Sequence, residues 1–99
     1  MKYEKIIKRK DGPRFQICVD SYMDCGEIKY RTYVYICEKG KRKWLSLPDT
    51  MSNWEFRNLS MKDRDAHRWE NMLRFVSQSD IMQAQIEYWE TLRPKYPMF

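Results

Sequence analysis

Ile28-Lys29-Tyr30-Arg31-Thr32-Tyr33-Val34-Tyr35-Ile36-Cys37-Glu38 is the stretch on which the fold turns. Ile28, Tyr30, Thr32, Val34 and Ile36 alternate with Lys29, Arg31, Tyr33, Tyr35 and Cys37. A period of two sends the first set to one face of a strand and the second set to the other. The run is rich in β-branched and aromatic residues, which favours the same reading.

Two neighbouring runs alternate in the same way. In one, Phe15, Ile17 and Val19 oppose Gln16, Cys18 and Asp20. In the other, Leu45 and Leu47 oppose Trp44, and Pro48 stops the strand because it has no N–H to give to a ladder. Upstream, Tyr3–Lys10 reads as a further edge strand closed by the turn Asp11-Gly12-Pro13. The first half is therefore a three- or four-stranded antiparallel β-meander.

Parity fixes the register, because a slip of one residue moves every side chain to the wrong face. It sets Phe15 beside Ile36, Ile17 beside Val34 and Val19 beside Thr32, with Asp24-Cys25-Gly26-Glu27 as the loop. The next hairpin, closed at Lys39-Gly40, is read with Leu45 beside Val34, Leu47 beside Thr32 and Trp44 opposite Tyr35. One face is then apolar across three strands. The other carries Gln16, Cys18, Asp20, Lys29, Arg31, Tyr33, Tyr35, Arg42, Trp44 and Ser46.

The second half reads as helix. Ser52-x-x-Glu55 and Ser60-x-x-Asp63 have the form of capping boxes. Trp69, Met72, Leu73 and Val76 then recur at helical spacing, as do Ile81, Ala84, Tyr88 and Leu92 after a polar gap at 77–80. Two helices are favoured over one, with Ser79 or Asp80 capping the second and Pro94 disfavouring helix at Arg93. The expected fold is α+β: one domain over residues 1–99, with a basic meander at 1–48 and a helical half at 49–99. The first long helix is expected to pack on the apolar face. The last carries apolar residues on more than one side, and Tyr88 and Trp89 are read as a dimer or partner surface.

Charge separates the same two halves. The chain carries +5, and residues 1–48 hold twelve Lys/Arg against six Asp/Glu. An anionic partner for that half follows, with nucleic acid the commonest. On the non-apolar face, Lys29, Arg31, Arg42 and Lys43 would meet phosphate while Tyr33, Tyr35 and Trp44 stack on bases. The same residue types also build protein interfaces, or a covered second layer of the sheet.

Several classes are excluded or disfavoured. No apolar run reaches the roughly 18–20 residues of a membrane span. The N-terminus, Met1-Lys2-Tyr3-Glu4-Lys5-Ile6-Ile7-Lys8-Arg9-Lys10, has no apolar signal region, so a cytoplasmic setting with free Cys18, Cys25 and Cys37 is expected. Those cysteines and the single histidine, His67, do not have the spacing of a zinc knuckle, so no metal or cofactor is expected. His67 with Asp63 reads as a surface pair, and no nucleophile, P-loop or dinucleotide motif occurs, so no enzyme is expected.

The layout resembles DNA-reading domains over residues 14–76, chiefly in Tyr30-Arg31-Thr32-Tyr33-Val34-Tyr35-Ile36 and Lys41-Arg42-Lys43-Trp44. The arm-binding domain of phage tyrosine integrases and the plant AP2 domain share a basic, aromatic three-stranded sheet backed by a helix. AP2-like Gly and Ala positions are absent and the last helix is extra. The resemblance implies DNA contact through the sheet face. The short Met- and Trp-rich chain is also similar to small phage accessory proteins that inhibit host enzymes or defence complexes. The leading expectation is a small non-catalytic nucleic-acid-binding protein. The alternative is a phage-type inhibitor or adaptor bound to a host protein or a nucleic-acid-processing complex.

Overall fold

The alternation at 28–36 becomes the longest hairpin of the molecule. A computed structural model describes residues 2–92. Its strands are β1 (Lys2–Ile7), β2 (Arg14–Asp24), β3 (Glu27–Cys37) and β4 (Leu45–Ser46). They form one antiparallel sheet in the order β1-β2-β3-β4. Helices α1 (Asn53–Arg57), α2 (Met61–Leu73) and α3 (Gln78–Leu92) follow. The fold is the expected α+β meander followed by helices. Arg93 and Pro94, where the sequence ends the last helix, lie outside the described residues.

The β2–β3 register is the one parity dictates, with Phe15 opposite Ile36, Ile17 opposite Val34 and Val19 opposite Thr32. The loop is tighter than the four residues read from sequence. Pairing continues to Asp24 opposite Glu27, leaving Cys25-Gly26 as the turn. Both turn residues have positive φ, 51° and 81°, as a two-residue hairpin turn requires.

The β3–β4 register differs from expectation by two residues. Ile36 lies opposite Leu45 and Tyr35 opposite Ser46, so Trp44 does not face Tyr35. A two-residue slip keeps each side chain on its face. Its cause is the wide loop before β4, in which the Lys41 N–H closes on the Glu38 carbonyl at 2.9 Å and Gly40 takes φ 79°. Arg14 pins this loop. Its guanidinium donates to the Lys41 carbonyl at 3.2 Å and lies 5.6 Å from the Trp44 ring centre. In β1, Tyr3, Lys5 and Ile7 pair with Val19, Ile17 and Phe15.

The core gathers Phe15, Ile17, Val19 and Val34 from the sheet with Met72, Val76, Ile81, Ala84 and Tyr88. Ile81, Ala84 and Tyr88 are fully buried at i, i+3 and i+7, so α3 is the main cover of β1 and β2. The small Ala84 lets that helix come close. The first long helix, α2, reaches the core only near its C-terminal end, through buried Met72 and partly buried Trp69. Ser52 and Ser60 cap α1 and α2 as read, the first with a complete capping box. The polar gap does separate two helices. The hydroxyl that accepts the Asp80 N–H at the start of α3 belongs to Ser77 rather than Ser79, at 3.0 Å. No helix among the described residues is long and apolar enough to cross a membrane.

Candidate nucleic-acid interface

The face of the sheet away from the helices carries the residues singled out by parity. Lys29, Arg31, Tyr33 and Tyr35 project from β3, beside Gln16, Cys18 and Asp20 of β2. Long side chains close over the small ones, so Cys18 and Cys37 are fully buried beneath this face. Burial pushes the Cys18 thiol above its usual pKa.

The cations of this face are already paired. Arg31 Nη2 lies 3.0 Å from Asp20 Oδ2, Lys29 Nζ 2.8 Å from Asp24 Oδ2 and Lys2 Nζ 3.3 Å from Glu4 Oε1. The Arg31 hydrogen bond, with one from the Ser21 N–H, holds the Asp20 carboxyl below the usual carboxylate range. The aromatic rings are also engaged. Lys2 and Arg31 lie 5.9 Å and 6.0 Å from the Tyr33 ring centre, and Tyr33 meets Tyr35 edge-on at 5.4 Å. Arg14 stands over Trp44. A base stacking on Tyr33 or Trp44 would have to compete with these cations.

The unpaired charge lies elsewhere. In a meander, alternate turns fall at the same end of the sheet. The β1–β2 turn (8–13) and the β3–β4 loop (38–44) therefore share one end, joined by the pairing of Arg14 with Cys37. That end carries Lys8, Arg9, Lys10, Arg14, Lys39, Lys41, Arg42 and Lys43, against Asp11 and Glu38. Its excess is larger than the +5 of the whole chain. None of these eight cations forms an ion pair with another described residue. Arg14 donates to the Cys37 sulfur at 3.3 Å as well as to the Lys41 carbonyl, and Arg9 donates to the Phe75 carbonyl at 3.3 Å. None of these acceptors is a carboxylate, so neither guanidinium is in an ion pair with a described residue.

The structure thus divides the site read from sequence. Arg42, Lys43 and Trp44 belong to the basic end, whereas Lys29, Arg31, Tyr33 and Tyr35 belong to the ion-paired face. Lys8, Arg9, Lys10, Arg14, Lys39 and Lys41 were missed by a reading based on strand faces. The signal that could have found them is topological: two basic turns, one strand pair apart, at one end of a meander. Tyr88 is fully buried in the core, so it offers no surface to a partner. Trp89 is half exposed, with its ring 4.8 Å from that of Tyr30. It ends an exposed stripe on α3 that includes Met82 and Ile86. His67 Nε2 lies 2.8 Å from Asp49 rather than pairing with Asp63. Cys25 sits alone at the β2–β3 turn. The chain matches no protein-family model, no curated protein and no solved structure.

Proposed function

We propose that this protein binds nucleic acid without catalysis, through phosphate contacts at the basic end of its sheet. The observation that carries this reading is the contrast between two sets of cations. Those of the sheet face are spent on Asp20, Asp24 and Glu4, while eight at the end are in no ion pair with a described residue. Uncompensated Lys and Arg on two adjacent loops suit a polyanion, and displaced counterions provide the driving force. Trp44 and Tyr35 border this end and supply the nearest rings to any base that reaches the sheet.

Fluorescence anisotropy with a labelled duplex and a labelled single strand tests the reading. Log K should fall linearly with log salt between about 50 and about 200 mM, with a slope of several units. No binding to either probe at about 50 mM salt would rule the reading out.

A second reading, contact with a protein through α3, is supported by the half-exposed stripe Met82, Ile86 and Trp89. Its simplest form is a homodimer. Sedimentation equilibrium should then show a dimer that Trp89→Ala dissociates; a monomer at all concentrations removes that form.

A further inference from the structure

β1 is the first strand of the sheet and pairs only with β2, so among the described residues its other edge is open. The backbone groups on that edge can be assigned. In a hairpin with a two-residue turn, the flanking pair, here Asp24 and Glu27, exchanges both hydrogen bonds. Alternation then turns Asp20, Cys18 and Gln16 of β2 toward β3, and Val19, Ile17 and Phe15 toward β1. Their partners Tyr3, Lys5 and Ile7 bond inward. The N–H and C=O of Lys2, Glu4 and Ile6 aim outward, and Lys8, directly after the strand, continues that series. An open edge of this kind is a template for a further strand.

The side chains along this edge fall into two rows. Tyr3 and Lys5 stand on the helix side, where Glu87 of α3 holds both. Glu4, Ile6 and Lys8 stand on the other face, and Ile6 is half exposed. Acid, apolar, base is a row that complements its own reverse. A second copy of the same strand therefore suits it.

Symmetry narrows the register. Two copies of an edge strand pair antiparallel about a two-fold axis perpendicular to the sheet, so opposed residues share a face and their numbers sum to an even value. An axis at Glu4 or at Lys5 opposes like charges directly, which is destabilising. An axis at Tyr3 leaves only Lys2–Glu4 to pair. An axis at Ile7 sets Lys5 against Arg9 and Ile6 against Lys8. An axis at Ile6 sets Ile6 against Ile6 and Glu4 against Lys8 on both sides. It also aligns the outward backbone groups of residues 4, 6 and 8. Lys8 is in no ion pair with a described residue. Glu4 accepts from Gln16 and meets Lys2 at 3.3 Å, but both ends of that ion pair are half exposed, so its carboxylate stays accessible.

We propose that two copies of this chain join through β1, antiparallel about Ile6, into one continuous sheet with both α3 helices on the same face. The two-fold axis places the basic ends at opposite ends of that sheet, which keeps their like charges apart. The surface is separate from the α3 stripe of Met82, Ile86 and Trp89, and the inference does not rest on nucleic-acid binding.

The test is sedimentation equilibrium of the full chain over a range of concentrations, with amide exchange on the same samples. A dimer should form as concentration rises. Exchange at residues 4, 6 and 8 should slow with it, while exchange at 3, 5 and 7, already bonded to β2, should not change. Ile6→Lys should dissociate the dimer. Glu4→Lys and Lys8→Glu each set two like-charged pairs across the axis and should weaken it about tenfold. The double variant Glu4→Lys/Lys8→Glu restores opposite charges and should recover the native constant. A monomer at every concentration overturns the proposal, as does a dimer indifferent to both single charge swaps. A double variant as weak as either single, or a dimer that Trp89→Ala dissociates and Ile6→Lys does not, overturns it too.

Discussion

The Tyr88 hydroxyl of α3 donates to Ser21 Oγ of β2 at 2.9 Å, from a side chain fully buried against the sheet. It joins the end of the last helix to the far part of the central hairpin. Removing the hydroxyl in Tyr88→Phe keeps the ring and should cost about 0.5–1.5 kcal/mol. Tyr88→Ala empties the largest fully buried site and should cost about 3–5 kcal/mol. Urea unfolding measures both, and a double-mutant cycle with Ser21→Ala isolates the hydrogen bond. A loss in Tyr88→Phe as large as in Tyr88→Ala would show that the hydroxyl, and not the ring, anchors the helix.

A second link between α3 and the sheet is ionic and depends on pH. Lys5 Nζ lies 2.9 Å from Glu87 Oε2, and the Tyr3 hydroxyl donates to the same carboxylate at 3.2 Å. The Lys5 hydrogen bond, opposed by burial and helped by the Lys5 charge and Tyr3, lowers the Glu87 pKa from its ordinary value. A carboxyl whose pKa is lower when folded adds stability above the unfolded pKa of about 4.3. That stability is lost as pH falls through the folded value. The melting temperature of the native chain should therefore exceed that of Glu87→Gln at neutral pH, and the gap should close on acidification below about pH 4. A gap that persists at about pH 2 would assign the effect to packing instead.

Local periodicity made the strands, their faces, the β2–β3 register and the capping serines legible in the sequence. The position of Tyr88 was not legible, because Tyr88 and Trp89 are adjacent on a helix with apolar residues all round it. Which of the two turns inward depends on where α3 lies across β1 and β2. The β4 register was hidden for a different reason. Arg14, two strands away, holds the Lys41 carbonyl and widens the loop, and no pattern within 38–47 announces that bond. The candidate site was half legible. Parity assigned Lys29, Arg31, Tyr33 and Tyr35 to one face but could not show that Asp20 and Asp24 pair with Arg31 and Lys29 there.

The β2–β3 turn carries a cost that a substitution should relieve. Cys25 adopts φ 51°, a left-handed conformation uncommon for a side-chain-bearing residue, and is followed by Gly26 at 81°. Asn-Gly is the favoured pair for such a turn. Cys25→Asn should raise stability by a few tenths to about 1 kcal/mol and remove the exposed thiol. Gly40→Ala should do the reverse in the β3–β4 loop. A Cβ there meets nothing within 4 Å, so the roughly 1 kcal/mol lost is backbone strain alone. Equal melting temperatures for the native chain and Cys25→Asn would mean that the turn is not strained.

The contrast between free and paired cations predicts which lysines and arginines set the salt dependence of nucleic-acid binding. In the double variant Lys41→Gln/Lys43→Gln, each lost phosphate contact should reduce the slope of log K against log salt by about one unit. Lys29→Gln removes a cation of the same charge from the same strand system, but one already 2.8 Å from Asp24. Its slope should stay within error of the native value. Asp20→Asn sharpens the test, because it releases Arg31 without adding a cation. If the sheet face is a latent part of the interface, the slope should steepen by up to about one unit. If phosphates meet only the basic end, it should not change. Equal losses from Lys29→Gln and from single substitutions in the 39–43 loop would mean that ion pairing within the fold does not determine which cations meet phosphate.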